Sequence, residues 1–194
     1  MSGDRNPVLL IHGIDDTSIL FHRFRPFLEQ RGWMVHELDL VPNNGTVGLE
    51  ELARQIGSYA EAHLASQPFD LVGFSMGGLV ARYYVQRLAG LDRVQRLVTI
   101  SSPHRGTLTA FLRNNTGARQ MRPGSPFLKD LHENRHHLKR VQFTSIWNPL
   151  DLMIIPATSS ILPEARSVKI HIPAHPLMMR NRRVMRLVEE ALTS

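Results

Sequence analysis

Three observations predict an α/β fold, a doubly wound and mostly parallel sheet of about six strands flanked by helices. Short apolar runs alternate with helix-period segments along the whole chain. Several runs, such as Pro7-Val-Leu-Leu-Ile-His12 and Phe69-Asp-Leu-Val-Gly-Phe74, are almost continuously apolar. Strands read this way when both faces of their sheet are covered. The polar residues that follow separate runs, His12-Gly13, Ser75 and Ser102-Pro103-His104, fall where strands end. In an open parallel sheet the working site lies at those carboxyl ends.

The 194 residues are enough for one domain with a single core, and 42% hydrophobic with 21% charged residues is ordinary for a globular chain. No apolar run reaches the roughly 20 residues of a membrane-spanning helix. The first strand follows Met1-Ser-Gly-Asp-Arg-Asn-Pro7 directly, with no apolar leader, so a cytoplasmic location is expected. The absence of cysteine excludes disulfides and thiolate chemistry. The net charge is +6, carried mostly by arginine, with Lys129, Lys139 and Lys169 the only lysines. Such a surface either attracts an anionic interface, such as lipid headgroups, or is a solvated basic face. The solvated face is the reading preferred here, and no nucleic-acid partner is expected.

In chain order, the strand from Pro7 ends in His12-Gly13-Ile14. Thr17 or Ser18 can cap a helix running to about Gly32, with Phe21, Phe24, Phe27 and Leu28 on one face and a kink at Pro26. Trp33 to Leu40 reads as a second strand, and Gly48 to about Ser66 as an amphipathic helix that Pro68 ends. The Phe69–Phe74 run leads into Gly73-Phe-Ser-Met-Gly-Gly78 and then a helical pattern. A serine on a sharp strand-to-helix turn needs small neighbours two residues away on each side, which Gly73 and Gly77 supply. The helix that follows aims its N–H groups and positive dipole end at the same point. Val94 to Ser101 is the next strand. Within residues 104–140 a helix is expected from Ser125, with Pro126 at its first position. That stretch reads either as a small flap over the site or as one more helical layer with a wet basic face. Val141 to Trp147 and Val168 to Ile172 complete the strands, and a helix from about Leu177 to Leu192 covers the sheet.

A serine hydroxyl becomes a useful nucleophile when a histidine takes its proton and a carboxylate holds that histidine. Ser75, Asp151 and His175 occur in the order Ser, Asp, His, each just past a separate strand. Ile14 and Met76 would offer backbone N–H groups to an oxyanion. Gly13 lets the first loop turn back, and His12 is assigned to orienting that loop rather than to proton transfer. Among rivals, His104 precedes Asp151 in a turn-like sequence, His136 and His137 lie in a basic helical run, and His171 lies inside the last strand. Glu164 precedes that strand, at the wrong end of the sheet, while Asp39 ends an earlier strand. No metal-ligand spacing, phosphate loop or dinucleotide fingerprint is present, so no cofactor is expected.

These residues resemble the α/β-hydrolase lipases and esterases, and are most similar to the small cap-less bacterial lipases of the Bacillus lipase A type. The resemblance rests on Pro7-Val-Leu-Leu-Ile-His-Gly-Ile14, Gly73-Phe-Ser-Met-Gly-Gly78, Thr144-Ser-Ile-Trp-Asn-Pro-Leu-Asp151 and Ala165-Arg-Ser-Val-Lys-Ile-His-Ile-Pro-Ala-His175. Ser102-Pro-His-Arg-Gly-Thr107 looks like the Pro-His-x-Gly segment of larger bacterial lipases. The resemblance implies that Ser75 is the nucleophile, Asp151 the acid, His175 the base, and Ile14 and Met76 the oxyanion donors. It implies metal-free hydrolysis of carboxylic esters such as acyl glycerols. Residues 104–140 are longer than the matching region of the minimal lipases, which leaves lid behaviour open, and those relatives are secreted whereas this chain shows no signal, which favours an intracellular lipid or ester here. A thioesterase or acyltransferase using the same triad is the alternative, and a non-catalytic lipid- or nucleic-acid-binding module the remote one. A chain this short leaves little for a cap, so an open, shallow site for short to medium acyl chains on a monomer is expected.

Overall fold

The computed structural model describes residues 5–194, which form one sheet of six parallel strands. The strands are β1 (Val8–Ile11), β2 (Val35–Leu38), β3 (Phe69–Phe74), β4 (Val94–Ile100), β5 (Gln142–Trp147) and β6 (Arg166–Lys169). Their spatial order is β2-β1-β3-β4-β5-β6. The helices are α1 (Phe24–Glu29), α2 (Leu49–His63), α3 (Met76–Arg87), α4 (Gly90–Arg93), α5 (Thr116–Gln120), α6 (Pro126–Glu133) and α7 (Arg182–Thr193), joined by short 3-10 turns. No helix among the described residues is long and apolar enough to cross a membrane.

The continuous apolar strands serve two cores. Along β1, Leu9 and Ile11 face a cluster with Leu52, Ile56, Leu79 and Val80 of α2 and α3. Val8 and Leu10 face the opposite cluster, with Phe24 and Leu28 of α1 and Val184 and Val188 of α7. Successive side chains on a strand point to opposite faces, so helices on both sides require apolar residues at every position.

Three boundaries differ from the sequence reading. The helix expected from Thr17 to Gly32 is two pieces, a 3-10 turn (Ser18–Phe21) and α1, and Thr17 makes no side-chain cap. The break falls at His22-Arg23, and Pro26 sits in the first turn of α1, where its missing N–H leaves nothing unpaired. The last strand is Arg166–Lys169 rather than Val168–Ile172, so His171 lies beyond it and is exposed. An edge strand needs no continuous apolar pattern, so the run Val168-x-Ile170-x-Ile172 marked the wrong segment. The helix expected from Leu177 is a 3-10 helix (His175–Arg180) followed by α7, whose Asn181 cap accepts from Arg183 N–H at 2.9 Å.

The stretch 104–140 contributes both buried and exposed surface. Phe127, Leu128 and Leu131 of α6 join the α2–α3 core, whereas Phe111 and Leu112 are exposed. Ser125 caps α6 through its hydroxyl, which accepts from Leu128 N–H at 3.2 Å. Arg82 of α3, fully buried, ties this layer down. Its guanidinium donates to Gln86 Oε1 (2.6 Å), Leu131 O (2.7 Å) and His104 O (3.1 Å). Burial lowers its pKa to about 10, against the opposing pull of Glu164, and it stays charged at neutral pH. Arg82→Ala would orphan these buried acceptors and should cost about 3 kcal/mol. The urea midpoint measures this, and an unchanged midpoint would contradict the assignment.

Candidate active site

Ser75 stands at the turn between β3 and α3 with φ 53° and ψ −122°, outside the regions that side-chain-bearing residues ordinarily adopt. The turn is held in place by backbone packing. A Cβ on Gly73 would lie 2.6 Å from Gly77 O and Gly78 Cα, and one on Gly77 would collide with the carbonyl oxygens of Ile11 and His12. Ser75 N–H donates to Ile100 O at 2.9 Å, which fixes the turn to β4. Met76 is the first residue of α3, so its N–H has no partner within the helix.

The loop after β1 faces this turn. A Cβ on Gly13 would meet Ser75 Cβ at 3.1 Å and Asp16 Oδ2 at 2.9 Å. His12 is fully buried, and its bonds define its tautomer. Nε2 accepts from Leu40 N–H at 2.9 Å, so Nδ1 carries the proton and donates to Gly13 O at 2.8 Å. Both nitrogens are thus occupied in holding the loop. Asp15 and Asp16 N–H donate to Asn43 O (2.9 Å) and Gly13 O (3.4 Å). Ile14 N–H makes no hydrogen bond among the described residues.

His175 and Asp151 come together at the far ends of β5 and β6. His175 Nδ1 donates to Asp151 Oδ2 at 2.7 Å, and both side chains are buried. Asp151 Oδ1 accepts from Met153 N–H (2.9 Å) and Ile154 N–H (3.1 Å), which leaves Oδ2 for the imidazole. The Phe74 ring, one residue before the serine, packs on His175 with centroids 4.7 Å apart. Among the described residues Ser75 Oγ makes no hydrogen bond to His175, a contact that often tightens only with substrate bound. Burial works to raise the Asp151 pKa, but the His175 hydrogen bond and charge and the two N–H groups outweigh it and hold it low.

The rivals are engaged elsewhere. His104 is buried with Nε2 2.9 Å from Thr99 Oγ1, and burial, then Arg82, push its pKa well down, so it is a neutral packing residue. His136 is exposed and His137 half-buried, their rings in edge contact. Glu164 accepts from Arg135 at 2.9 Å. Asp39 accepts from Ser18 N–H at 2.5 Å and Ser18 Oγ at 3.1 Å.

Two residues escaped the sequence reading. Asn148 is buried and replaces strand pairing beyond Trp147. Its Nδ2 donates to Ile172 O at 2.7 Å and its Oδ1 accepts from Ile172 N–H at 3.2 Å, so it ties the Asp151 loop to the His175 loop. The signal was Asn148-Pro149 at a strand end, where proline stops the ladder and an amide can take it over. The second is Asp16, which flanks Gly13 opposite Ser75. Burial raises its pKa, with His12 and His175 pulling the other way.

An open parallel sheet with a strained serine turn at its centre and an Asp–His pair beside it defines an α/β-hydrolase-fold protein. The sequence profile described as palmitoyl protein thioesterase matches residues 7–123, more than half of the chain, and the chain belongs to that family. Curated relatives named lysosomal thioesterase PPT2, from Mus musculus and Rattus norvegicus, are each 29% identical over 111 residues, 54% of this chain and 36% of theirs. The chain therefore spans about a third of the length of those relatives. The mature Bacillus licheniformis lipase BlEst2 superposes with a TM-score of 0.80 at 14% identity, covering 97% of this chain and 92% of that one. Aspergillus fumigatus lipase B gives 0.81 at 17% identity, covering 98% and 53%. At these identities the two structures establish the shared fold. The family match ends before Asp151 and His175.

The opposite shifts of the two carboxylates predict opposite effects on stability. Asp16, with its folded pKa above the ordinary 3.8, costs stability when ionised and recovers it as pH falls through that folded value. Asp16→Asn should raise Tm at pH 7, and the gain should vanish near pH 3. Asp151, with its folded pKa below 3.8, contributes stability above the ordinary value and loses it as pH falls through the folded one. Asp151→Asn should lower Tm at pH 7, and this deficit should shrink as pH falls below the ordinary 3.8 toward the lower folded value. Thermal melts across pH read both, and shifts of the same sign at pH 7 would contradict the two environments.

Proposed function

We propose that this chain is a serine hydrolase of carboxylic esters, working through Ser75, His175 and Asp151. The observation that carries the reading is the 2.7 Å contact of His175 Nδ1 with Asp151 Oδ2 beside the strained Ser75 turn. Because Nδ1 is committed to the carboxylate, Nε2 is the nitrogen that takes a proton. Ser75 Oγ attacks the acyl carbonyl while its proton passes to His175 Nε2, and Asp151 stabilises the resulting imidazolium. Ile14 and Met76 N–H groups receive the oxyanion. The intermediate collapses, the C–O bond to the alcohol breaks, and the imidazolium returns the proton to the leaving oxygen. Water, deprotonated by the same Nε2, then hydrolyses the acyl-enzyme and regenerates Ser75.

Thioester hydrolysis is the second reading, favoured by membership of the palmitoyl protein thioesterase family. The same steps apply with a thiol as leaving group. The acyl chain has an apolar surface close by. Leu108 N–H donates to Ile155 O at 2.8 Å and Thr109 Oγ1 to Met153 O at 2.6 Å. These bonds hold Leu108-Thr109 against Met153–Ile155, and Leu108, Phe111, Leu152 and Met153 are all exposed. Such a rim suits a lipid or acyl substrate presented at a surface, and its openness suits short to medium chains.

The test is hydrolysis of p-nitrophenyl butyrate, p-nitrophenyl octanoate and the matching neutral thioesters. Ser75→Ala and His175→Ala should each lower kcat at least ~1000-fold with folding intact. A folded Ser75→Ala variant with full activity would sink the mechanism. Turnover of long-chain substrates with none of butyrate would overturn the shallow-site reading.

A further inference from the structure

A cavity of about 430 Å³ lies between α1 and α7 and opens to solvent. Its lining includes His22, Arg23, Arg31, Arg180, Arg182 and Arg186. The two helices and the residues that flank them build it. Arg23 and Pro26 share one face of the α1 segment, three residues apart, and Arg182, Met185 and Arg186 share one face of α7. Arg31 closes one end, stacked 3.7 Å over the Phe27 ring and paired with Glu189 at 3.1 Å. Glu189 is the acid that meets this arginine set. Arg23, Arg180, Arg182 and Arg186 have no carboxylate partner among the described residues.

The local electrostatics run against helix stability. The first turn of α7 holds Arg182 and Arg183 and no acidic residue, at the end where the helix dipole already concentrates positive charge. Arg182 and Arg186 are also like charges at i and i+4. Uncompensated charge of one sign, gathered in a concavity, is what a site for the opposite charge requires. Arginine's planar fork suits phosphate oxygens. A 430 Å³ concavity fits a small phosphorylated group better than a flat membrane or a duplex.

The cavity is linked along the chain to the loop that carries His175. Arg180 ends the 3-10 helix that His175 begins, about 10 Å along its axis. His22 and Arg180 also line a neighbouring cavity with Asp15 and Asp16 of the loop after β1. Asp15 is paired with Arg113, so part of the acidic charge between the two sites is neutralised.

We propose that this groove binds the phosphate groups of the substrate, on its leaving-group side, so that the preferred acyl substrate carries a phosphorylated leaving group. The proposal rests on the acyl-hydrolase reading for its catalytic consequence, while phosphate binding itself can be read without catalysis.

The experiment pairs binding with kinetics, for the wild type and for Arg182→Gln/Arg186→Gln, two exposed positions outside the catalytic machinery. Calorimetric titration with inorganic pyrophosphate should give saturable one-to-one binding that weakens at least tenfold in the double variant and in high salt. Butyryl-CoA should show a KM at least tenfold below that of butyryl-N-acetylcysteamine, which has the same thioester and no phosphate. The double variant should remove that difference and leave the neutral thioester unchanged. Equal KM values with no pyrophosphate binding would overturn the proposal while leaving the hydrolase reading intact. A wild type inactive on both thioesters and on p-nitrophenyl butyrate would instead count against the hydrolase reading, with pyrophosphate titration still deciding the groove. Pyrophosphate binding with equal KM values would overturn the substrate assignment and point to a phosphorylated headgroup, checked with phosphatidylinositol-phosphate against phosphatidylcholine vesicles. Salt-sensitive binding to anionic vesicles or duplex DNA without saturable pyrophosphate binding would also overturn the proposal, since it marks a flat basic surface.

Discussion

The structure depends on a contact between backbones. The turn carrying Ser75 packs so closely that a methyl group on Gly77 would strike the Ile11 and His12 carbonyls, and one on Gly73 the turn itself. That approach brings α3 down onto β1 and β3 and holds Ser75 at a positive φ that nothing local would favour. It also brings the loop after β1 against Ser75, so closely that a Cβ on Gly13 would meet Ser75 Cβ at 3.1 Å. The strain is sustained because both faces of the central strands are sealed by helices, so the turn cannot relax without opening two cores.

Much of this was legible in the residues. The strands β1, β3 and β4 read clearly because they are central and apolar throughout. The Ser75 turn read clearly because its two glycines are a steric requirement. The edges read poorly. β6 lies where only one neighbour constrains it, so charged Arg166 and Lys169 could form the strand while the apolar pattern continued past it. Asn148-Pro149 marked only where the ladder stops, because imitating a missing strand neighbour is a matter of tertiary position. Asp16 was invisible because its significance comes from what lies across Gly13. The pairing of His175 with Asp151 could be expected from chain order, but its 2.7 Å geometry needed the Asn148 clamp between the loops.

Charge shows the same division. The +6 excess reads from composition as a solvated basic face. In three dimensions part of it converges between α1 and α7, because Arg182 and Arg186 share one face of α7 and Arg23, Arg31 and Arg180 flank the two helices around the same groove. Membership of the palmitoyl protein thioesterase family and the lipase-like fold of the solved neighbours are compatible with acyl transfer to water on this scaffold. In this chain the cationic groove is linked to the loop that carries His175 through the His175–Arg180 turn.

The most direct test of the central claim is covalent labelling with a fluorophosphonate, followed by peptide mass spectrometry. An activated serine displaces fluoride and keeps the phosphonyl group, whatever the natural substrate. The account predicts one label per chain, on the peptide carrying Ser75, and none on folded Ser75→Ala or His175→Ala. A folded wild type that remained unlabelled, or was labelled at another serine, would contradict it.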